Sequence, residues 1–171
     1  VRELKEAGIT KVVMMTGDSE RTAAAIAKRV GVDEYYSEVL PEDKASFVEK
    51  EKELGHKVIM IGDGINDSLA LSSASVGIAI SDGAAIAREI ADVTISADNL
   101  HEIVTLKRLS TALMKRIHNN YRTIIGINGG LIALGVTGII MPTTSALLHN
   151  MSTLTISLRS MRNLLPKEEE I

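Results

Sequence analysis

The stretch KVIMIGDGINDSLAL, residues 57–71, decides how this chain is read. An apolar run ends in Gly62-Asp63-Gly64, and a second acid, Asp67, follows four residues after the first. Short apolar runs that stop at a Gly, Asp or Ser cluster are typical of strands buried on both faces of a parallel sheet. Working outward, KVVMM upstream and VGIAI and DVTI downstream have the same form. Between them lie SERTAAAIAKRV, PEDKASFVEKEKELG and GAAIAREIA, which read as helices. Alternation of this kind predicts βαβ units, hence an α/β fold with a parallel sheet, over residues 1–98. The punctuation agrees: Ser19 and Glu20 open one helix and Gly31 stops it, while Pro41 opens the next and Gly55 ends it.

Composition narrows the possibilities. Lys and Arg number 19 against 22 Asp and Glu, so no global charge points to nucleic acid. The chain has no cysteine, which removes disulfides and thiolate metal sites and fits a reducing compartment. Aromatics are 2% of residues, so Val, Ile, Leu, Ala and Met must fill the core. The start, VRELKEAGITK, is charged and helix-like rather than a signal peptide. It also begins in mid-element without Met, so the chain is expected to be a piece of something longer.

Ligands of parallel α/β sheets sit beyond the carboxyl ends of the strands. The first apolar run ends in Thr16-Gly17-Asp18, and the run at 57–61 ends in GDGIND with Asn66 between the acids' positions. Between them PEDK brings Lys44 into a helix. A hydroxyl, a cation and two carboxylates are thus expected at one crevice. Asp63 and Asp67 are hard oxygen donors suited to Mg²⁺, which takes one or two carboxylates together with water and substrate phosphate. Gly62 and Gly64 allow a tight turn and close approach. Thr16 and backbone N–H groups near Gly17 can donate to phosphoryl oxygens, and Lys44 can offset their charge. The bland alternatives are a solvated Lys44, an Asp18 that merely begins a helix, and acids on an exposed helix face.

The remainder differs in character. Residues 99–120 read as a long amphipathic helix with Ile103, Leu106, Leu109, Leu113 and Ile117 on one face. IIGINGGLIALGVTGIIM, residues 124–141, carries no charge, and Gly126 and Gly130 form a G-x-x-x-G. MPTT reads as a turn, and SALLHNMSTLTISL, residues 145–158, as a second apolar segment studded with polar groups. Basic residues flank the outer ends, so a membrane hairpin with both ends in the cytoplasm is expected. His149, Ser152 and Thr153 share a helical face beside Asn150. Such groups line a cation path or bond between helices; Asn128 is a weaker candidate for the path and reads rather as a packing residue.

With these residues in view, MMTGDSERTAAAIAKRVGVDEYYSEVLPEDKASFVE, MIGDGINDSLAL, and VGIAI followed by IAREIADVTI resemble the C-terminal half of the phosphorylation domain of P-type ATPases, pumps of the haloacid-dehalogenase-like superfamily. The hairpin with HNMST is similar to the heavy-metal subfamily. The resemblance covers essentially the whole chain. It implies a partial haloacid-dehalogenase-like (Rossmann-like) sheet at 1–98, a linking helix at 99–120, a transmembrane hairpin at 121–165 and a charged tail at 166–171. It implies that Thr16, Gly17 and Asp18 with Lys44 serve the phosphoryl group, and that Asp63 binds Mg²⁺ with Gly64, Asn66 and Asp67 completing the site. It further implies a transported cation (Zn²⁺, Cd²⁺, Cu⁺ or similar) near His149, Asn150, Ser152 or Thr153. ATP would be bound mainly by domains outside this chain. The implied partners are those remaining domains and membrane lipid, not nucleic acid, and the implied location is multi-pass in a bacterial plasma membrane. The family's phosphorylated Asp, in D-K-T-G-T, is not in this sequence, so the piece alone is expected to be inactive. Leu69 stands where the family usually has Pro, Ser75 where Asp is usual, and Ala84-Ala85 where Thr-Asp is common. A non-catalytic membrane-anchored module derived from such a pump is the alternative, and a soluble phosphatase of the same superfamily a third.

Overall fold

The computed structural model describes residues 1–63, 65–80, 85–96 and 99–164. They form two compact units, Val1–Lys107 and Arg108–Ile171. The first is the α/β part. A short α1 (Arg2–Glu6) precedes β1 (Val13–Met15), α2 (Glu20–Val30), β2 (Glu34–Tyr36) and α3 (Pro41–Glu53). Then come β3 (Ile59–Gly62), a single 3-10 turn (Ile65–Asp67), α4 (Ser68–Ser73), β4 (Val76–Ile80), α5 (Ala85–Ile90) and β5 (Val93–Ile95). Every strand pairing is parallel, in a two-stranded β1-β2 sheet and a three-stranded β3-β4-β5 sheet. The expected α/β class and parallel pairing are therefore present. β2 was not foreseen, because Glu34-Tyr35-Tyr36 lacks an apolar run; all three residues are exposed.

Helix boundaries follow the punctuation with one change. Gly31 closes α2 at φ 78, the left-handed conformation that glycine adopts without a Cβ penalty. Pro41 occupies the first turn of α3, and the Leu40 N–H donates to Asp43 Oδ2 at 3.2 Å. Ser19 stands at the N-cap of α2, but its hydroxyl lies 3.3 Å from Thr22 Oγ1 rather than on a backbone N–H.

The core lies on both faces of β4. Along VGIAI, Ile78 and Ala79 point to opposite faces, as the two-residue period of a strand demands. Ile78 packs with Ile95 and Ile103, flanked by Leu4 and Leu106, while Ala79 packs with Leu71. Ala45, Val48 and Ala70 form a further cluster between α3 and α4, with Met60 against it. Leu71, Ile78 and Val48 are the largest fully buried side chains, each worth about 2 kcal/mol of transfer free energy. Gly77 is required here: a Cβ at this position would lie 2.7 Å from the Leu71 carbonyl oxygen.

The second unit is helical. α6 (His101–Val136) begins in the first unit and runs on without a break at residue 120; α7 (Pro142–Ser160) follows. Asn120 bonds Ser160 and Asn128 bonds His149, so the two helices run antiparallel. A helical hairpin is thus present, but the expectation of a membrane-crossing one is not met: among the described residues no helix is long and apolar enough to cross a membrane. The uncharged run at 124–141 is not helical throughout. α6 stops at Val136 and Gly138 turns at φ 72, leaving 13 helical residues of that run, about 20 Å at 1.5 Å per residue. A bilayer core is about 30 Å thick. The turn also falls earlier than MPTT: Pro142 already occupies the first turn of α7.

Candidate functional site

β3 delivers its carboxyl end to a turn built around one contact. A Cβ on Gly62 would fall 2.5 Å from Asp67 Cβ and 2.8 Å from its Oδ2, so Asp67 folds back directly over the glycine. The 3-10 turn makes this return possible in five residues. Asp67 is 8% exposed, the buried charged residue among those described. Its Oδ1 accepts a hydrogen bond from Lys44 Nζ at 2.7 Å, and both side chains are largely shielded from water. A buried carboxylate needs such a partner, because desolvating an unpaired charge is costly. Lys44 reaches it from the first turns of α3.

The same helix start is tied to the TGD turn after β1. The Val39 N–H donates to the Thr16 carbonyl at 3.0 Å, and the Glu38 N–H to the Asp18 carbonyl at 2.9 Å. Glu38 adopts φ 53, a left-handed conformation that a non-glycine residue holds only when its surroundings impose it. The Thr16 hydroxyl donates to Asp18 Oδ2 at 3.0 Å and accepts the Asp18 N–H at 3.2 Å. A continuous path of contacts therefore runs from the TGD turn through residues 38–43 to Lys44, Asp67 and Gly62.

The structure thus joins Lys44 with Asp67, Asp67 with Gly62, and Thr16 with Asp18. Among the described residues no hydrogen bond or ion pair joins the TGD turn to Lys44, Asp63 or Asp67. A Cβ on Gly17 would lie 3.8 Å from the Val39 carbonyl oxygen, an ordinary contact. Asp63 and Asn66 are exposed, and Gly64 lies outside the described residues. Lys44 and Asp67 are expected at one crevice from the sequence, but their direct pairing across 23 residues was not foreseen. Nor was Glu20, whose carboxylate accepts hydrogen bonds from the Ser37 hydroxyl at 2.6 Å and the Tyr35 hydroxyl at 2.8 Å. These two donors, Ser37 first, hold Glu20 below the usual carboxylate range.

The donor set fits Mg²⁺ better than a fully protein-ligated metal. Among the described residues no three His, Cys, Asp or Glu gather into a metal cage. What is present at the strand end is the exposed carboxylate of Asp63 and the anchored carboxylate of Asp67. One or two carboxylates, with water and phosphate oxygens supplying the rest, is the Mg²⁺ pattern.

In the hairpin, His149 Nδ1 lies 2.8 Å from Asn128 Oδ1. The Ser152 and Thr153 hydroxyls donate to the His149 carbonyl, at 2.8 and 3.0 Å, in the back-bonding usual for helical Ser and Thr. The structure therefore brings His149 to Asn128, while Ser152 and Thr153 serve their own backbone and Asn150 is exposed.

Comparison with known proteins places this geometry. Residues 1–75 match the family described as haloacid dehalogenase-like hydrolase. The chain is 37% identical over 161 residues to a zinc-exporting P-type ATPase of Mycobacterium marinum, covering 94% of this chain and 22% of that protein. It is 39% identical over 162 residues to a copper-exporting P-type ATPase of Bacillus subtilis, covering 95% of this chain and 20% of the relative. The solved structure of a zinc-transporting PIB-type ATPase in the E2.Pi state superposes with a TM-score of 0.88 at 32% identity, over 97% of this chain and 27% of that one. The chain spans about a fifth of the length of the curated relatives it matches. With a haloacid dehalogenase-like N-terminal part and relatives that are heavy-metal P-type ATPases along nearly its whole length, the chain fits a fragment of a P-type ATPase.

Proposed function

We propose that this chain supplies the Mg²⁺ and phosphate site, and the helical hairpin after it, of an ATP-driven pump for a transition-metal cation. The observation that carries this reading is the shielded Lys44–Asp67 pair seated on Gly62 at the carboxyl end of β3, tied through α3 to the TGD turn. In this reading Thr16, Gly17 and Asp18 orient the phosphoryl group through hydroxyl and backbone donors. Lys44 is fixed by Asp67 and presents positive charge where phosphoryl oxygens gather. Asp63, with Asp67 and Asn66 behind it, would hold Mg²⁺, which supplies further positive charge against those oxygens when bound. The nucleophile and the nucleotide-binding groups come from other parts of the pump.

The hairpin packs in lipid against other helices of the same pump, with the α/β part in the cytoplasm. Its exposed apolar side chains support this, including Ile125, Ile132, Val136, Leu147, Leu154 and Leu158. His149, paired with Asn128, is the side chain best suited to a Zn²⁺ or Cu⁺ path, since imidazole binds such ions. Relatives named for zinc, manganese and copper export are consistent with a transition metal as cargo.

A chimera tests the reading. This chain replaces the matching segment of the Mycobacterium marinum zinc exporter, and metal-stimulated ATP hydrolysis is measured in vesicles. Activity within about tenfold of the parent is expected, with Asp63→Ala reducing it by about 10³-fold, the scale of losing one electrostatic group at a reacting centre. A folded chimera that binds ATP yet forms no phosphoenzyme, or an Asp63→Ala variant that pumps normally, would defeat the proposal.

A further inference from the structure

The second unit holds a cavity that the phosphate site does not explain. It has a volume of about 350 Å³ and lies where α6 meets the end of α7. Its walls carry Lys115, Arg116, Arg159 and Arg162, together with Asn119 and Asn120. Among the described residues no carboxylate lines it. Residues 103–164 contain no Asp or Glu, while residues 108–164 contain six Lys and Arg; the next acids in the sequence are Glu168, Glu169 and Glu170, outside the described residues.

Part of this charge has an ordinary explanation. Arg116 donates to the Ser160 carbonyl at 2.9 Å and the Asn163 carbonyl at 2.9 Å, and also to the Arg162 carbonyl. It caps the last turn of α7, as a cation at a helix C-terminus often does. The dipole at that terminus amounts to about half an elementary negative charge. Arg116 alone more than offsets it. Lys115, Arg159 and Arg162 remain, and none of them has an ion-pair partner among the described residues. Like charges around one cavity repel each other unless a counter-charge enters. Asn120 is held by its bond to Ser160 Oγ at 2.6 Å, so one wall is fixed before any ligand arrives.

We propose that this cavity binds a phosphate-bearing anion. Planar guanidinium groups match the paired oxygens of a phosphate group, and the ammonium of Lys115 adds a point charge. The phosphate could be presented by an anionic lipid headgroup or by a free phosphate ion. The antiparallel arrangement puts the cations at one end of the hairpin and the uncharged turn at the other, which is how a basic pocket at headgroup level is built. The inference does not need the strand-end site, and its failure would leave that site's role untouched.

The test uses the whole 171-residue chain in neutral detergent, so that Glu168, Glu169 and Glu170, outside the described residues, are present. The side-chain N–H signals of Arg116, Arg159 and Arg162 are followed by NMR during titration. The titrants are phosphatidylglycerol, phosphatidylcholine and inorganic phosphate. Saturable shifts are expected with phosphatidylglycerol or phosphate and not with phosphatidylcholine. Preference for phosphatidylglycerol assigns a lipid headgroup; equal response to phosphate assigns the free anion. Arg159→Gln with Arg162→Gln should weaken binding at least about tenfold, and Arg159→Lys with Arg162→Lys should largely restore it. If the double Gln variant loses helicity, Lys115→Gln takes its place with the same expected direction. No saturable shift with either anion, undiminished binding after neutralisation, or an equal response to phosphatidylcholine would overturn the proposal.

Discussion

The two units bury their apolar side chains in opposite ways. In the α/β unit, Ile78 is 1% exposed and Ala79 0%, enclosed by β3, β5, α4 and the start of α6. In the hairpin, α7 has no buried residue, and Leu154 is 58% exposed. The buried residues of α6 are Ile103 and Val104, both in the first unit. The first region thus builds a core of its own, although Ile59, Ile61 and Leu69 stay exposed, and the second turns its apolar side chains outward. An apolar surface this continuous is costly in water, so the difference teaches where the chain's own contacts end and those of its surroundings begin.

The largest expected effect breaks or confirms this contrast directly. Ile78→Ala should cost about 4 kcal/mol, because deletion of a fully enclosed side chain loses transfer energy and leaves a cavity. Leu154→Ala, at an exposed site, should change stability by about 0.5 kcal/mol or less. Urea denaturation of the 171-residue chain, followed by far-UV circular dichroism, measures both. Comparable losses would mean that α7 is packed within the chain after all.

The next contrast lies inside the candidate site. Asp67→Ala leaves Lys44 shielded without its carboxylate and should cost about 3 kcal/mol. Asp63→Ala removes an exposed carboxylate and should cost under about 0.5 kcal/mol, while reducing turnover in the chimera by about 10³-fold. Equal stability losses would show that both acids are structural. A stable Asp63→Ala with intact turnover would remove Asp63 from the chemistry.

Glycines sharpen the comparison further. Gly62→Ala should cost about 2 kcal/mol, because its Cβ would collide with the Cβ of Asp67, which cannot swing aside. Gly130, in the last third of α6, has nothing within 4 Å of the place a Cβ would occupy. Gly130→Ala should therefore raise the stability of the chain alone, by about 0.5–1 kcal/mol. In the chimera the sign should reverse if another helix packs closely on Gly126 and Gly130. Metal-stimulated hydrolysis of the chimera and thermal melting of both proteins separate these outcomes.

What could be read from the sequence tracks these same distinctions. VGIAI announced a buried strand, because covering both faces of a strand forces a continuous apolar run; the stretch at 57–62 announced a strand too, but Ile59 and Ile61 of β3 are exposed rather than buried. Gly31 and Pro41 announced helix ends, because left-handed φ and a missing N–H are local requirements. β2 was missed because Glu34, Tyr35 and Tyr36 are exposed and pair through backbone, which leaves no pattern in side chains. The GDGIND stretch marked the site, yet the role of Gly62 as the seat of Asp67, and the reach of Lys44 across 23 residues, are tertiary facts. The uncharged run at 124–141 was read as one span. Hydropathy does not register that Gly138 turns the backbone before the run is complete.

The smallest expected effect concerns acid. Glu20 is held below the usual carboxylate range by Ser37 and Tyr35, and Asp33 by Lys5 and the Val12 N–H. A carboxylate whose folded pKa is depressed stabilises the fold above its unfolded value, about 4 for Asp or Glu. That contribution is lost as pH falls through the folded pKa. Stability of the α/β unit should therefore decline below about pH 4, and Glu20→Gln should flatten the decline without removing it, since Asp33 still titrates. Residues 103–164 carry no carboxylate to protonate, so the helical signal of the hairpin should persist through the same range. Urea melts at several pH values between 3 and 6, read by circular dichroism and by NMR signals of each unit, measure the two responses. A hairpin that unfolds in step with the α/β unit would show that acid acts on the chain as one cooperative body, and the contrast between the regions would then be one of exposure alone.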